Sequence, residues 1–113
     1  MVSIKSISII FLAFLMSACD SDNNISAGKA YMRLNDANVI FLDVRTREEF
    51  LQDGRIQNSV LIPLDKLKDS HNKIEKYIDK EIFVYCRSGR RSEIATRYLN
   101  EQGFRAFNLI GGF

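Results

Sequence analysis

Short apolar segments alternate with segments of helical periodicity along most of the chain. Four apolar runs have the length and composition of buried strands, namely 39–44, 60–62, 82–85 and 106–110. Between them, amphipathic spacing predicts helices over 27–35, from Thr46 to about Gly54, over turns within 64–78, and over 92–102. Strands separated by helices predict an α/β fold, a parallel sheet with helices on both faces.

Residues that favour helix ends support this division. Ser26 and Thr46 can cap the first two helices, and Glu49, three residues after Thr46, completes a capping box. Pro63 ends the second strand, and Gly103 suits the position just after the last helix.

The N-terminal segment has the pattern of an export signal. Lys5 precedes an apolar stretch, 7–16, that is too short to span a bilayer comfortably. Small residues then lead to Cys19, which resembles a bacterial lipobox with Met16 where leucine is usual. We expect residues 1–18 to be a signal peptide and Cys19 to be lipidated. An ordinary secretory signal that leaves Cys19 unmodified and an uncleaved anchor are the alternatives.

The following segment is polar and lacks periodicity, which predicts a lipidated tether over 19–25 and a domain over 26–113. Asp20 resembles a signal for retention in the inner membrane. The expected location is therefore the bacterial periplasm, with an inner-membrane anchor at Cys19.

Composition is that of one globular domain. The chain has 113 residues, 46% of them hydrophobic, and its net charge of +2 does not indicate a nucleic-acid partner. The two cysteines are Cys19 and Cys86, so lipidation of the first leaves Cys86 without an intramolecular partner. Cys86 is then either a reactive thiol or a cysteine that merely packs in the core.

Cys86 ends a buried strand and a basic loop follows it. The loop contains Arg87, Ser88, Gly89, Arg90, Arg91 and Ser92. Ligands of parallel sheets bind at the carboxyl ends of the strands. A helix N-terminus and nearby arginines both favour a thiolate, and glycine allows successive N–H groups to point inward. The pattern predicts a thiolate that binds an anion. His71, the only histidine, lies among charged residues, so neither a Cys–His dyad nor a metal site is supported.

Four motifs follow one another along the chain, namely residues 42–50, residues 54–56 with 60–64, the loop Tyr85-Cys86-Arg87-Ser88-Gly89-Arg90-Arg91-Ser92, and residues 103–104 with 109–113. Together they resemble the rhodanese family, and the closest likeness is to single-domain, exported members of the phage-shock-protein E type. The resemblance implies a rhodanese-like α/β fold over 26–113 and thiosulfate sulfurtransferase activity. Cys86 would take sulfur from thiosulfate as a persulfide and pass it to cyanide or a thiol, without cofactor or metal.

The resemblance also implies roles for the loop. Arg87 and Arg91 would bind the anion oxygens, N–H groups of 87–92 would stabilise the persulfide, and Arg90 would face solvent and steer anions. Asp43 and Arg45 are expected to pair and support the loop. A persulfide carrier or redox-sensing binding module is the alternative. A cysteine-based phosphatase or arsenate reductase is remote, because phosphatase loops follow Cys-x5-Arg and here the sixth residue is Ser92.

Two features depart from the family. Arg55 stands where members often have histidine, and members usually continue past the Gly111-Gly112 turn into another helix. We therefore expect that C-terminal helix to be missing and one face of the sheet to lose apolar cover.

Overall fold

Five parallel strands form one sheet in the structure, a computed structural model that describes residues 23–113. The order across the sheet is β1-β5-β4-β2-β3. The strands are β1 (Asn24–Ile25), β2 (Val39–Asp43), β3 (Val60–Leu61), β4 (Glu81–Tyr85) and β5 (Arg105–Leu109). The predicted parallel α/β fold is confirmed.

Four helices connect the strands: α1 (Ala27–Tyr31), α2 (Arg47–Gln52), α3 (His71–Ile74) and α4 (Arg90–Glu101). Short 3₁₀ turns cover Leu64–Lys66 and Glu75–Tyr77. The capping box of Thr46 and Glu49 is present at the start of α2. α1 is shorter than predicted because the chain turns after Met32 towards Asp36, whose side chain accepts from the Asn38 N–H.

Alternation along β4 divides the core between two faces. Ile82, Val84 and Cys86 belong to the larger cluster with α3 and α4, whereas Phe83 and Tyr85 belong to a smaller cluster with Ala30 of α1. Helices thus lie on both faces, and Cys86 lies on the α4 side.

The smaller cluster borders an open apolar groove. Tyr31 and Met32 are exposed by 74% and 83%, and Phe113 by 49%. The groove is lined by apolar side chains of α1, β2 and the closing residues, among them Tyr31, Phe41 and Phe113.

The first strand was not predicted. Asn24 and Ile25 fall in the segment expected to be a tether, yet they pair in parallel with Asn108 and Leu109 at the edge of the sheet. The Asn108 and Ile110 N–H groups donate to the carbonyls of Asn23 and Ile25. Backbone groups make this pairing, so no side-chain periodicity signals it.

The export-signal predictions, residues 1–18 and the lipidation of Cys19, lie outside the described residues. Within residues 23–113, no helix is long and apolar enough to span a bilayer.

Candidate active site

Cys86 lies where β4 meets the basic loop, and its side chain is buried. The loop turns directly into α4 because Gly89 takes a left-handed conformation, φ 97°, as the N-cap. The helix begins at Arg90, two residues earlier than predicted. The turn aims two backbone N–H groups at the sulfur, from Gly89 at 3.0 Å and from Ser92 at 3.4 Å.

The Ser92 hydroxyl completes the surroundings of the sulfur, 3.4 Å from Cys86 Sγ. Burial disfavours the thiolate, but hydrogen bonds from the Ser92 hydroxyl and from the loop N–H groups outweigh it, so the pKa of Cys86 is lowered. The site therefore favours a thiolate without a histidine.

Two of the loop arginines are paired with carboxylates of α2 and of Asp53, the residue that caps its C-terminus. Arg91 makes a bidentate contact with Glu49, at 2.7 and 2.9 Å, and Arg87 contacts Asp53 at 2.5 Å and Glu49 at 3.5 Å. Arg91 and the Thr46 N–H hold the pKa of Glu49 well below its usual range. The sequence assigned Glu49 only to the start of a helix, and nothing local to it or to Asp53 indicates partners on the loop.

Two other residues of the loop are open to solvent. Ser88 and Arg90 are exposed, and within residues 23–113 the Arg90 guanidinium has no hydrogen-bond or ion-pair partner. Arg90 lines an open cavity of about 410 Å³ beside the loop, together with Asn24, Ser88 and Asn108. This position fits the predicted solvent-facing arginine.

Asp43 and Arg45 form a buried ion pair after β2. Arg45 donates to both carboxylate oxygens, with the shortest contact 2.7 Å, and also to the Gly54 carbonyl. Its guanidinium lies 4.6 Å from the centre of the Phe113 ring and 5.6 Å from that of Tyr85. The pair thus fixes the turn after β2 against β4 and the last residues, away from direct contact with the sulfur.

The closing turn packs against the start of the loop. The Phe113 N–H donates to the Cys86 carbonyl at 2.8 Å. Gly112 lies so close that a Cβ there would collide with the carbonyl oxygens of Arg87 and Cys86. Glycine at this position lets the turn support the backbone that presents the thiol.

Asn108 of β5 is a site residue that the sequence reasoning missed. Its Oδ1 accepts from the Ser92 hydroxyl at 2.5 Å, and its Nδ2 donates to the Gly89 carbonyl at 3.3 Å. A polar residue inside the apolar run 106–110 was the available signal.

Metal chemistry has no candidate ligand set in the part of the chain described, since residues 23–113 contain no cluster of three or more His, Cys, Asp or Glu side chains. His71 is exposed and lies 3.6 Å from Glu75.

A buried cysteine whose sulfur accepts from two loop N–H groups, at the carboxyl end of a parallel sheet, has the form of a thiol-based anion-binding site. The rhodanese-like domain family matches residues 26–113, and the chain belongs to that family. The relatives that it resembles include sulfurtransferases, a putative sulfur carrier protein and tRNA uridine(34) hydroxylases.

Two relatives and one solved structure illustrate the likeness. A sulfurtransferase of Allochromatium vinosum is 37% identical over 92 residues, covering 80% of this chain and 83% of the relative. A putative sulfur carrier protein of Bacillus subtilis is 37% identical, over 69% of this chain and 41% of its own length. The crystal structure of a rhodanese-related protein from Thermoplasma volcanium superposes with a TM-score of 0.71 at 31% identity, covering 79% of this chain and 84% of that one.

Proposed function

We propose that the protein is a thiosulfate sulfurtransferase that works through a persulfide on Cys86. The observation that supports it best is the buried sulfur surrounded by the Gly89 and Ser92 N–H groups and the Ser92 hydroxyl. These donors stabilise negative charge on sulfur, both on the attacking thiolate and on the persulfide anion that replaces it.

Two displacements complete the reaction. The Cys86 thiolate attacks the outer sulfur of thiosulfate, the S–S bond of thiosulfate breaks, and sulfite leaves with the electron pair. The carbon of cyanide, or the sulfur of a thiolate, then attacks the outer sulfur of the persulfide. Cys86 leaves as thiolate, and thiocyanate or a new persulfide is formed.

The three loop arginines differ in how readily they can bind the anion. Arg87 is paired with Asp53, but its side chain is 61% exposed and can turn from that carboxylate to thiosulfate or sulfite oxygens. Arg91 is held by Glu49 and is less exposed, at 33%. Arg90 supplies a positive charge at the rim that the donor meets first.

The test is to incubate the full chain with thiosulfate and analyse its peptides by mass spectrometry. We expect the mass of one sulfur atom to be added at Cys86, and thiocyanate to form when cyanide follows. Cys86→Ser should abolish both products, and Cys19→Ser, the matched control, should leave both unchanged. Absence of adduct and of thiocyanate in the unaltered chain would refute the proposal.

A persulfide carrier or redox-sensing module is the second candidate. The pairing of Arg87 and Arg91 with α2 carboxylates favours it, because a small anion must displace those carboxylates. A carrier would form the persulfide but turn over slowly with cyanide or small thiols. A high steady-state rate with either acceptor would exclude this candidate.

We further propose that the protein is an exported lipoprotein of the phage-shock-protein E type, with residues 1–18 removed and Cys19 lipidated in the periplasm. The lipobox-like residues before Cys19 support this. Intact mass spectrometry of membrane-extracted protein should show a chain that begins at an acylated Cys19. An unacylated, uncleaved chain would contradict it.

A further inference from the structure

The Ser92 hydroxyl lies between two partners but has one hydrogen to give. Cys86 Sγ is 3.4 Å from Ser92 Oγ on one side, and Asn108 Oδ1 is 2.5 Å away on the other. Cys86 and Ser92 are fully buried, and Asn108, which borders the open cavity, is 9% exposed, so the low local dielectric strengthens both contacts.

The Gly89 carbonyl fixes which way the Asn108 amide points. Nδ2 lies 3.3 Å from that carbonyl oxygen, and a carbonyl can only accept. The flipped amide would place two acceptor oxygens against each other; the Gly89 carbonyl would keep the Glu93 N–H, but the amide oxygen would face no donor there. Asn108 Oδ1 therefore faces Ser92, where it can only accept the hydroxyl hydrogen.

We propose that Asn108 is a positioning residue that sets the direction of the Ser92 hydroxyl. While Cys86 is a thiol, its S–H donates to Ser92 Oγ, and Ser92 donates to Asn108. When the sulfur loses its proton, Ser92 turns its hydrogen to the thiolate and leaves Asn108 Oδ1 without that donor. Asn108 thus competes with the thiolate for one hydrogen. Its position on β5 therefore favours the thiol form of Cys86.

Other charged groups face this region and are unchanged by substitution of Asn108. They are Arg87, Arg90, Arg91 and Glu93 from the loop and α4, Glu49 and Asp53 from α2, and the Asp43–Arg45 pair after β2. The cavity residues contributed by β1 and the chain after β5 are uncharged, namely Asn24, Ile110 and Gly111.

The experiment measures the rate of Cys86 alkylation by iodoacetamide against pH, by peptide mass spectrometry of the full chain. Asn108→Ala frees the Ser92 hydroxyl hydrogen for the thiolate. At pH values below the midpoint of the Cys86 titration, alkylation should therefore be about three- to tenfold faster. Asn108→Asp adds a charged acceptor that competes more strongly, so alkylation should be about tenfold slower. A general loss of packing would move both variants in one direction.

Two controls test the route through Ser92. Asn100 of α4 also bonds β5, through the backbone of Ala106, and makes no hydrogen bond to the loop within residues 23–113, so Asn100→Ala should leave the profile unchanged. In a Ser92→Ala background, Asn108→Ala should have no further effect. Equal shifts with and without Ser92, or no shift from either Asn108 variant, would overturn the proposal.

The unaltered chain gives a readout that does not depend on whether the Asn108 and Ser92 variants fold. Its infrared S–H band, isolated by subtracting the spectrum of Cys86→Ser, should be displaced to lower frequency as for a donating thiol. A band at the position of an unbonded thiol would overturn the inference. The inference shares Cys86 with the proposed sulfur transfer, but alkylation needs no sulfur donor, so failure of one is distinguishable from failure of the other.

Discussion

Single residues decide whether the backbone around Cys86 keeps its shape. Gly111 and Gly112 both have positive φ, 92° and 68°, but only a Cβ at Gly112 would meet the backbone of the loop. Substituting Gly111 therefore tests backbone strain alone, whereas substituting Gly112 tests strain together with a collision.

Gly112→Ala should lower both stability and activity more than Gly111→Ala. Strain alone costs about 1–2 kcal/mol at either position, whereas the collision at Gly112 also displaces the Arg87 carbonyl. Urea unfolding and thiocyanate formation measure the two effects. Equal losses in both variants would show that the closing turn does not support the loop.

Glu49 should make the stability of the protein fall at acid pH. The pKa of Glu49 is lowered in the folded state, chiefly by Arg91, so the unfolded chain binds the proton more readily. Its stabilisation is present above the unfolded pKa and is lost as the pH falls below about 4.3.

Glu49→Gln should destabilise the protein by about 1–2 kcal/mol at neutral pH and reduce the loss of stability between neutral and acid pH. Urea unfolding across that pH range is the measurement. Glu48→Gln is the control, because Glu48 is exposed and has no ion-pair partner within residues 23–113. A pH dependence identical to that of the unaltered chain would contradict the assignment.

At the scale of elements, α2 connects a local sequence signal to a distant site. Its capping box is formed by Thr46 and Glu49, and the same Glu49 binds Arg91, 42 residues further along the chain. The helix therefore begins where the turn after β2 stops, and its Glu49 side chain also holds two loop arginines in place.

Thr46→Ala should cost about 1 kcal/mol, because an N3 backbone N–H loses its acceptor. Thr46→Ser retains the hydroxyl and should cost much less. Thermal or urea unfolding distinguishes the two, and equal destabilisation by both would mean that the hydroxyl is not the stabilising group.

Locality explains which elements could be predicted. The strand that leads into Cys86, the glycine in the loop and the capping box each involve residues within a few positions of one another, and the structure has each of them. The contacts of Arg91 with Glu49 and of Asn108 with Ser92 arise only when separate elements meet. β1 has two residues and pairs through its backbone, so its side chains give no pattern.

Across the whole molecule, Arg45 joins parts that are distant in sequence. It is 1% exposed and contacts Asp43, the Gly54 carbonyl, and the Tyr85 and Phe113 rings. Removing it would leave the Asp43 carboxylate buried and unpaired.

Arg45→Ala should destabilise the domain by about 3–5 kcal/mol, a large part of the total stability of a small domain. Arg55→Ala is the control, because Arg55 is exposed and stacks on Phe50 at 4.5 Å, and it should cost about 1 kcal/mol or less. Asp43→Leu combined with Arg45→Met should recover part of the loss in urea unfolding. No recovery would mean that the ion pair is not the cause.

Both ends of the described residues lie at the edge of the sheet that carries Cys86. Asn23 binds the backbone of Asn108, and Phe113 binds that of Cys86. An affinity tag or fluorophore joined directly after Phe113 would therefore start beside the loop, at the edge of the sheet that carries Cys86. The turn at Gln102–Gly103, before β5, lies at the opposite edge, about 16 Å away along five strand residues. A fluorophore attached at that turn would leave the loop around Cys86 uncovered.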